Sequence, residues 1–204
     1  MPMPSAEELY FPEHEEMPEG KLHLLLRTLL FQFLERAFSK TAAIGCDQFV
    51  YWDPTSPRVC LAPDAFVKLG RPDDLFPSWK AWERGAPEFA IEVVSGFDQR
   101  DGIWSEKLVK YGELGVTELL RFDPDGPEFL RAWDRIDGKM VERQFIGATR
   151  STVLPGFWVT ALHPTLGPAP RLSLDAAGTQ LYLTAAEAAE ARIAELEVKL
   201  AERG

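Results

Sequence analysis

Apolar residues recur at helical spacing near the start of the chain. Between Gly20 and Ser39 they lie three or four positions apart, and they are Leu22, Leu25, Leu26, Leu29, Leu30, Phe33, Leu34 and Phe38. This spacing places them on one face of a helix. The pattern therefore predicts a helix with a buried face that ends near Ser39.

Short apolar runs in the middle of the chain predict strands. We expect strands at residues 49–52, 64–69, 88–95 and 118–122, each followed by residues that break regular structure. The run at 88–95 is the most apolar, which favours a central position in a sheet with both faces covered. Residues 71–87 are rich in proline and glycine and predict a loop or a short helical turn.

A second helix and a hairpin are predicted further along the chain. The helix is expected from Asp101 to Leu114, with Gly115 at its C-terminal end. Residues 129–135 and 139–145 flank Ile136-Asp137-Gly138. An Asp-Gly pair suits the left-handed backbone of a tight turn, so this segment predicts a hairpin.

The C-terminal residues predict a small hairpin and then a helix. Leucines alternate on either side of residues 175–178, and they are Leu172, Leu174, Leu181 and Leu183. Thr184 and Glu187 have the spacing of a capping box. Apolar residues then follow in a short heptad stripe formed by Ala186, Ala189, Ile193, Leu196 and Leu200. The stripe packs either on its own domain or on a partner subunit, and we expect a homodimer.

Composition narrows the class of protein. Of 204 residues, 46% are hydrophobic and 26% are charged, which is ordinary for a soluble globular protein. No apolar run approaches the roughly 18 residues of a membrane span, and the N-terminus lacks a signal-peptide pattern. Cys46 and Cys60 have no metal-binding spacing, so we expect buried thiols in a reducing cytoplasm.

The net charge of −10 is concentrated at the two ends of the chain. Residues 1–20 contain glutamates but no lysine or arginine, which predicts an acidic, loosely ordered arm. Residues 184–204 are also net negative, and the rest is close to neutral. Residues 21–183, the body of the protein, can carry a local basic face, but they lack the strongly basic character of an autonomous DNA-binding domain.

Three charged residues carry the candidate chemistry. Glu92 interrupts an apolar run, and a buried carboxylate needs a cation or a metal as its partner. Asp64 begins an earlier strand, and neighbouring strands lie about 5 Å apart, so two carboxylates at matching heights can share one ion. Two carboxylates and water suit Mg²⁺, with Mn²⁺ as a substitute, and the carbonyl after Glu92 is a further expected ligand. Lys107, on the predicted helix, would face the attacking water and the phosphate.

Each of these residues also has an ordinary structural interpretation. Asp64 follows Pro63 and is a candidate turn residue. Glu92 can form a buried ion pair with Lys107 or with an arginine. Lys107 can be a solvated charge on a helix. The combination of all three at this spacing favours a site.

The order of these motifs resembles the Uma family of restriction-endonuclease-like proteins, within the PD-(D/E)xK nuclease superfamily. The resemblance covers residues 20–204 and is carried by Pro63-Asp64, Phe89-Ala90-Ile91-Glu92-Val93-Val94-Ser95, Lys107-x-x-x-Tyr111-x-x-x-Gly115-Val116-x-Glu118, Asp123-Pro124 and Leu154-Pro155-Gly156-Phe157. It implies an α/β (mixed α+β) fold with a restriction-endonuclease-like core of about four strands. Helices would flank the mixed sheet, and a β-hairpin and a C-terminal helix would follow.

The resemblance also bears on individual residues. The family's active-site lysine lies on the helix after the glutamate, which matches Lys107, and a histidine in the first helix matches His23. His23 would orient a ligand or water, or else be a core histidine. The family often has an acid four residues before the lysine, where this chain has Ile103, so Asp98 or Asp101 would have to substitute.

The chain is therefore expected to contain an N-terminal arm (1–20), a nuclease-like domain (21–162), a linker with a small hairpin (163–183) and an amphipathic helix (184–204). The predicted function is Mg²⁺-dependent hydrolysis of phosphodiester bonds in DNA, with hydrolysis of another phosphate ester as a weaker possibility. The alternative from another class is a non-catalytic protein of the same fold that acts through self-association or partner binding.

Overall fold

The computed structural model describes residues 10–12, 20–94 and 102–202. Within these residues the helices are α1 (Lys21–Phe38), α2 (Ala81–Arg84), α3 (Ile103–Leu114) and α4 (Ala185–Ala201). The strands are β1 (Ala42–Gly45), β2 (Val50–Tyr51), β3 (Cys60–Leu61), β4 (Ala65–Leu69), β5 (Trp79–Lys80), β6 (Phe89–Val93), β7 (Glu118–Phe122), β8 (Leu130–Ile136), β9 (Lys139–Arg143), β10 (Thr149–Arg150), β11 (Phe157–His163) and β12 (Gly167–Ser173).

The central sheet has the strand order β1-β4-β6-β7-β8-β9. Strands β6 and β7 are parallel, and the other neighbouring pairs are antiparallel, so the predicted mixed sheet is confirmed, with six strands rather than about four. Strand β6 is flanked on both sides, and all of its residues are buried. The apolar run of β6 is consistent with its central position, because a strand covered on both faces has mostly apolar residues on both.

Helices cover both faces of this sheet. The apolar side of α1 packs in one core with Phe89, Ile91 and Val93 of β6. The apolar side of α3 packs in a second core that includes Ala90 of the same strand. The mixed α+β architecture expected from the sequence is thus confirmed, and Glu92, which alternates with its neighbours, falls on the α3 side.

Helix α1 matches its prediction in both bounds. Its apolar stripe is buried from Leu26 onwards, whereas Leu22 and Leu25 in the first turns remain partly exposed. The start of α1 therefore reaches beyond the core and lies at the end of the sheet, where it contributes a polar side chain to the candidate site.

Helix α3 is fixed at its C-terminal end by close backbone contacts. Gly115 has a φ of 95° and its N–H donates to the carbonyl of Tyr111, as expected for a glycine that ends a helix. A Cβ at Gly112 would lie 2.6 Å from the carbonyl oxygen of Gly138, so only glycine fits this approach to the hairpin. The predicted helix is confirmed, although Asp98 and Asp101 lie outside the described residues.

The predicted hairpin is formed by β8 and β9. Asp137 and Gly138 have φ values of 49° and 81°, so both adopt the left-handed conformation that a two-residue turn of this kind requires. The prediction is confirmed, and Ile136 belongs to β8 rather than to the turn.

Residues 71–87 contain more regular structure than the predicted loop. The short helical turn is α2, and β5 pairs with β2 in a small three-stranded sheet of order β3-β2-β5. Trp79 of β5 is fully buried. A two-residue strand leaves no alternation to detect, which is why the pattern did not predict it.

A further three-stranded sheet, in the order β10-β11-β12, lies near the C-terminus. The prediction of a linker at 163–183 missed β12, which pairs with β11 across position 163. Pro168 and Pro170 argue against a strand, but β12 lies at the edge of its sheet, where proline is tolerated. The small hairpin is confirmed by the bridge between Ser173 and Leu181. The division into domains stays a prediction.

The two ends of the chain differ in how much of each is described. Most of the predicted acidic arm lies outside the described residues, except for residues 10–12 and Gly20. Phe11 contacts Tyr51 and Trp82. At the other end α4 begins with the predicted capping box of Thr184 and Glu187. Among the described residues, no helix has the length and apolar character needed to cross a membrane.

Candidate active site

The backbone register brings Asp64 level with Glu92. Ala65 pairs with Ile91 in the antiparallel ladder of β4 and β6, and Asp64 is the residue before Ala65. Residues opposite each other in an antiparallel pair project to the same face. Phe66, two residues after Asp64, packs in the α3-side core, so both carboxylates belong to that side of the sheet.

Asp64 is buried and held from two directions. Its Oδ2 accepts a hydrogen bond of 2.7 Å from the backbone N–H of Val93, and its Oδ1 lies 3.0 Å from Nε2 of His23. His23 comes from the first turn of α1 and is partly buried. The aspartate therefore links the start of α1 to the end of β6, which is more than a local turn residue would do.

Glu92 is also buried, and each of its oxygens has a partner on α3. Nζ of Lys107 lies 2.9 Å from Oε2, and the hydroxyl of Tyr111 donates to Oε1. Lys107 and Tyr111 are four residues apart, so one face of the helix presents both groups to the same carboxylate. Lys110 is exposed and is not among the partners of Glu92 in the structure.

The electrostatics of this cluster disfavour the ionised form of Glu92. Burial raises the pKa of Glu92, Lys107 opposes that rise, and the nearby Asp64 carboxylate adds to it. Both effects disfavour the ionised glutamate because it has little water around it and a second negative group beside it. A divalent cation between the two carboxylates would remove the second of these costs.

The carboxylates of Asp64 and Glu92 suit a hard metal ion that takes few of its ligands from the protein. Among the described residues, no group of three His, Cys, Asp or Glu side chains has the geometry of a metal centre. A metal held by Asp64 and Glu92 would need further oxygen ligands, such as water, to complete its shell. That pattern is typical of Mg²⁺, which keeps several waters, and unlike the closed sites of structural zinc.

The structure brings together the four residues that the sequence assigns to the site, and their roles stay predictions. Asp64, Glu92, Lys107 and His23 lie together, connected by the contacts described above. The ion pair of Glu92 with Lys107 was also the structural alternative for this glutamate, and it is present. Tyr111 was not assigned a role, although its spacing of four from Lys107 could have indicated one.

The chain is similar to known proteins in sequence and in fold. The model of the Uma2 family, described as "Putative restriction endonuclease", matches residues 8–163. One solved structure that is similar is a "putative nuclease belonging to DUF820" from Anabaena variabilis ATCC 29413. It has 14% sequence identity and a TM-score of 0.47, and the match covers 81% of this chain and 87% of that chain. Comparison with curated proteins finds no match.

Proposed function

Because the chain belongs to the Uma2 family of restriction-endonuclease-like proteins, we propose that it is a metal-dependent endonuclease that hydrolyses phosphodiester bonds in DNA. One observation carries the proposal. Two buried carboxylates, Asp64 and Glu92, come from neighbouring strands to one end of the sheet, and Lys107 contacts one of them. This combination of two acids and a lysine suits phosphodiester hydrolysis.

The charge of the site favours a bound metal. A phosphate diester is an anion, and two carboxylates would repel it unless a cation lies between them. Bound Mg²⁺ or Mn²⁺ supplies Lewis acidity and lowers the pKa of a coordinated water. Asp64 and Glu92 would hold the ion.

The remaining residues have separate tasks. Lys107 has no oxygen to offer a metal, so its ammonium acts on the water or on the charge that develops on the phosphate. Its side chain is 22% exposed, so part of this side chain is accessible to solvent. His23 keeps the Asp64 carboxylate in place by its contact with Oδ1, and Tyr111 does the same for Glu92 by donating to Oε1.

We place this activity in the cytoplasm, where Cys46 and Cys60, both half-buried, would remain thiols. The near-neutral charge of the body argues for a DNA substrate bound by local contacts rather than by a strongly basic surface. Hydrolysis of another phosphate ester by the same residues is the less favoured form of the proposal.

One observation favours a second candidate function. Both oxygens of Glu92 already have donors, so the cluster is a closed hydrogen-bonded unit as it stands. A protein that has given up catalysis could retain such a unit for stability and act through self-association or partner binding. The two functions are separated by whether the carboxylates bind a metal and cleave DNA.

The test is nicking of supercoiled plasmid by purified protein with Mg²⁺ or Mn²⁺, with excess chelator as the blank and Glu92→Gln as the matched variant. We expect nicking by the wild-type protein that chelator and Glu92→Gln both abolish. Single-stranded DNA, RNA and a simple phosphate ester are assayed in parallel to define the substrate. A wild-type protein inactive on every substrate over a broad pH range would favour the non-catalytic candidate.

A further inference from the structure

The apolar stripe of α4 has no cover from the described part of its own chain. Ile193, Leu196 and Leu200 are 57%, 43% and 70% exposed, and no residue of α4 is buried. From Ala189 to Ala201 every residue is exposed. Of the two ways in which the sequence allowed the stripe to pack, packing on its own domain is not seen among residues 10–12, 20–94 and 102–202.

The N-terminal end of α4 is nonetheless fixed to the rest of the protein by hydrogen bonds. Glu187 receives two hydrogen bonds from the buried Arg171, of 2.6 and 2.9 Å, and it closes the capping box with Thr184. Arg36 of α1 also donates to the carbonyl of Leu183. Because the first turn is already formed and anchored, the helix needs no further nucleation to extend away from the body.

The stripe has the residue types of a two-stranded coiled coil. In heptad terms Ala186, Ile193 and Leu200 occupy position a, and Ala189 and Leu196 occupy position d. A β-branched residue at a with leucine at d favours two parallel strands over three or four. The Ile193 and Leu196 layers have this combination.

The charges beside the stripe are sorted by sign. Position e holds Glu190 and Glu197, whereas position g holds Arg192 and Lys199. In an antiparallel pair, e faces e and g faces g, so every such contact would join like charges. In a parallel pair, g faces e of the other helix five residues later, which sets Arg192 opposite Glu197 twice. The charge pattern therefore selects the parallel arrangement.

We propose that α4 pairs in parallel with α4 of a second copy of this chain, with the stripes in contact and Arg192 of each copy beside Glu197 of the other. The two bodies then lie at the same end of the helix pair, which gives one assembly two candidate sites. This inference does not depend on the proposed function, because its measurement is molecular mass.

Contacts within the monomer do not prevent this pairing. Arg192 lies 2.6 Å from Glu195, and Lys199 also contacts Glu195, but all three side chains are about half exposed. Ion pairs of this kind on an exposed helix surface stabilise only weakly. Arg192 is therefore available to Glu197 of a second copy.

The first test is molecular mass by sedimentation equilibrium at concentrations from micromolar upwards. Wild-type protein should reach twice the chain mass of 22.9 kDa. Leu196→Glu should raise the dimer dissociation constant by about 100-fold or more, since it puts a charge in the seam. Val198→Glu is the matched control, because Val198 is 59% exposed on the same helix but outside the stripe, and it should remain dimeric.

Helix content by circular dichroism shows whether either variant has lost α4. A wild-type protein that stays monomeric throughout would overturn the proposal. A Leu196→Glu variant that still forms dimers would overturn it as well, and so would a Val198→Glu variant that dissociates to the same extent as Leu196→Glu.

The second test concerns orientation. Arg192→Glu and Glu197→Arg should each weaken the dimer by about tenfold, because each places like charges opposite each other in a parallel pair. An equal mixture of the two variants should recover a heterodimer of wild-type strength. In an antiparallel pair Arg192→Glu would face Lys199 and strengthen the dimer, so a tighter Arg192→Glu dimer would contradict the parallel arrangement.

Discussion

Two buried glutamates on neighbouring strands have different surroundings, although burial affects both in the same way. Glu92 lies on β6 and Glu118 begins β7, the strand parallel to it. Burial is the main cause that raises the pKa of both side chains, and each has a cationic partner. Burial of an acid is therefore not by itself a sign of a catalytic site in this protein.

The surroundings of Glu118 are saturated by fixed donors. Arg143 contacts both Glu118 and Asp134, and hydrogen bonding to Arg143 holds the pKa of Asp134 below its usual range. The hydroxyl of Ser151 donates to the other oxygen of Glu118. Since each carboxylate faces a guanidinium or a hydroxyl, this network ties the segment after β9 to the sheet.

Glu92 has a second carboxylate in its surroundings that disfavours its ionised form. Its cation is a lysine on a flexible stem, and the carboxylate of Asp64 raises the pKa of Glu92 further. No carboxylate has that effect on Glu118. A second carboxylate that raises the pKa of the glutamate, and a lysine rather than an arginine as its cationic partner, distinguish the candidate site from the ion pair of Glu118.

The largest effect is expected for Lys107→Ala. Cleavage should fall by about 100- to 1,000-fold, the usual cost of losing a preorganised charge in the transition state, while metal affinity stays near that of the wild type. Initial rates of plasmid nicking and calorimetric metal titration measure the two quantities separately.

Lys110→Ala is the matched control for this experiment. Lys110 lies on the same helix but is exposed, so its removal should leave the nicking rate unchanged. If Lys110→Ala abolished nicking and Lys107→Ala did not, the role assigned to Lys107 would be wrong.

Glu118→Ala should give the largest loss of stability. Removing one partner of a buried ion pair typically costs about 3–5 kcal/mol, because the other partner keeps its desolvation penalty. Urea unfolding measures the change in free energy. Glu142→Ala breaks the more exposed pair with Arg131 and should cost less than about 1 kcal/mol. Equal losses for the two variants would contradict the structural role of Glu118.

Tyr111→Phe removes only the hydroxyl that holds Glu92. We expect a drop in cleavage rate of about tenfold and a stability cost of about 1 kcal/mol, typical of one hydrogen bond. Tyr182→Phe removes a comparable hydroxyl, which donates to the carbonyl of Pro155, and should leave cleavage unaffected. A Tyr111→Phe variant with full activity would show that Glu92 needs no such support.

The smallest effect concerns pH and has a defined sign. Because the pKa of Glu92 is raised, the folded protein retains a proton that the unfolded chain has already lost. Wild-type protein therefore loses stability as pH rises from the ordinary glutamate pKa through the raised folded value. Glu92→Gln lacks this loss, so its stability relative to wild type should increase across that window. Urea unfolding in chelator at a series of pH values measures it, and a relative stability that falls instead would contradict the raised pKa.

Local patterns predict a large part of this fold. Helix α1, strand β7 and the hairpin turn at Asp137-Gly138 each follow from spacing or from one turn-forming pair. Strand β12 could not be predicted in this way, because its prolines signal a break and only its edge position makes them tolerable.

The residues of the candidate site also differ in how well the sequence predicts them. A carboxylate within an apolar run, such as Glu92, is conspicuous in the sequence. The hydroxyl of Tyr111 is not, since a tyrosine on the apolar side of a helix is an ordinary core residue. Only the packing of α3 on the sheet shows that this hydroxyl points at Glu92. The contrast with Glu118 likewise depends on Arg143 and Ser151, which are distant in sequence.

Calorimetric titration of Mg²⁺ into wild-type protein, Glu92→Gln and Glu118→Gln tests the contrast between the two glutamates most directly. We expect wild type and Glu118→Gln to bind the ion and Glu92→Gln not to bind it, because of the two glutamates only Glu92 is proposed as a ligand. Circular dichroism at the titration temperature confirms that each variant is folded. Binding that survives in Glu92→Gln, or that is lost in a folded Glu118→Gln, would contradict this expectation.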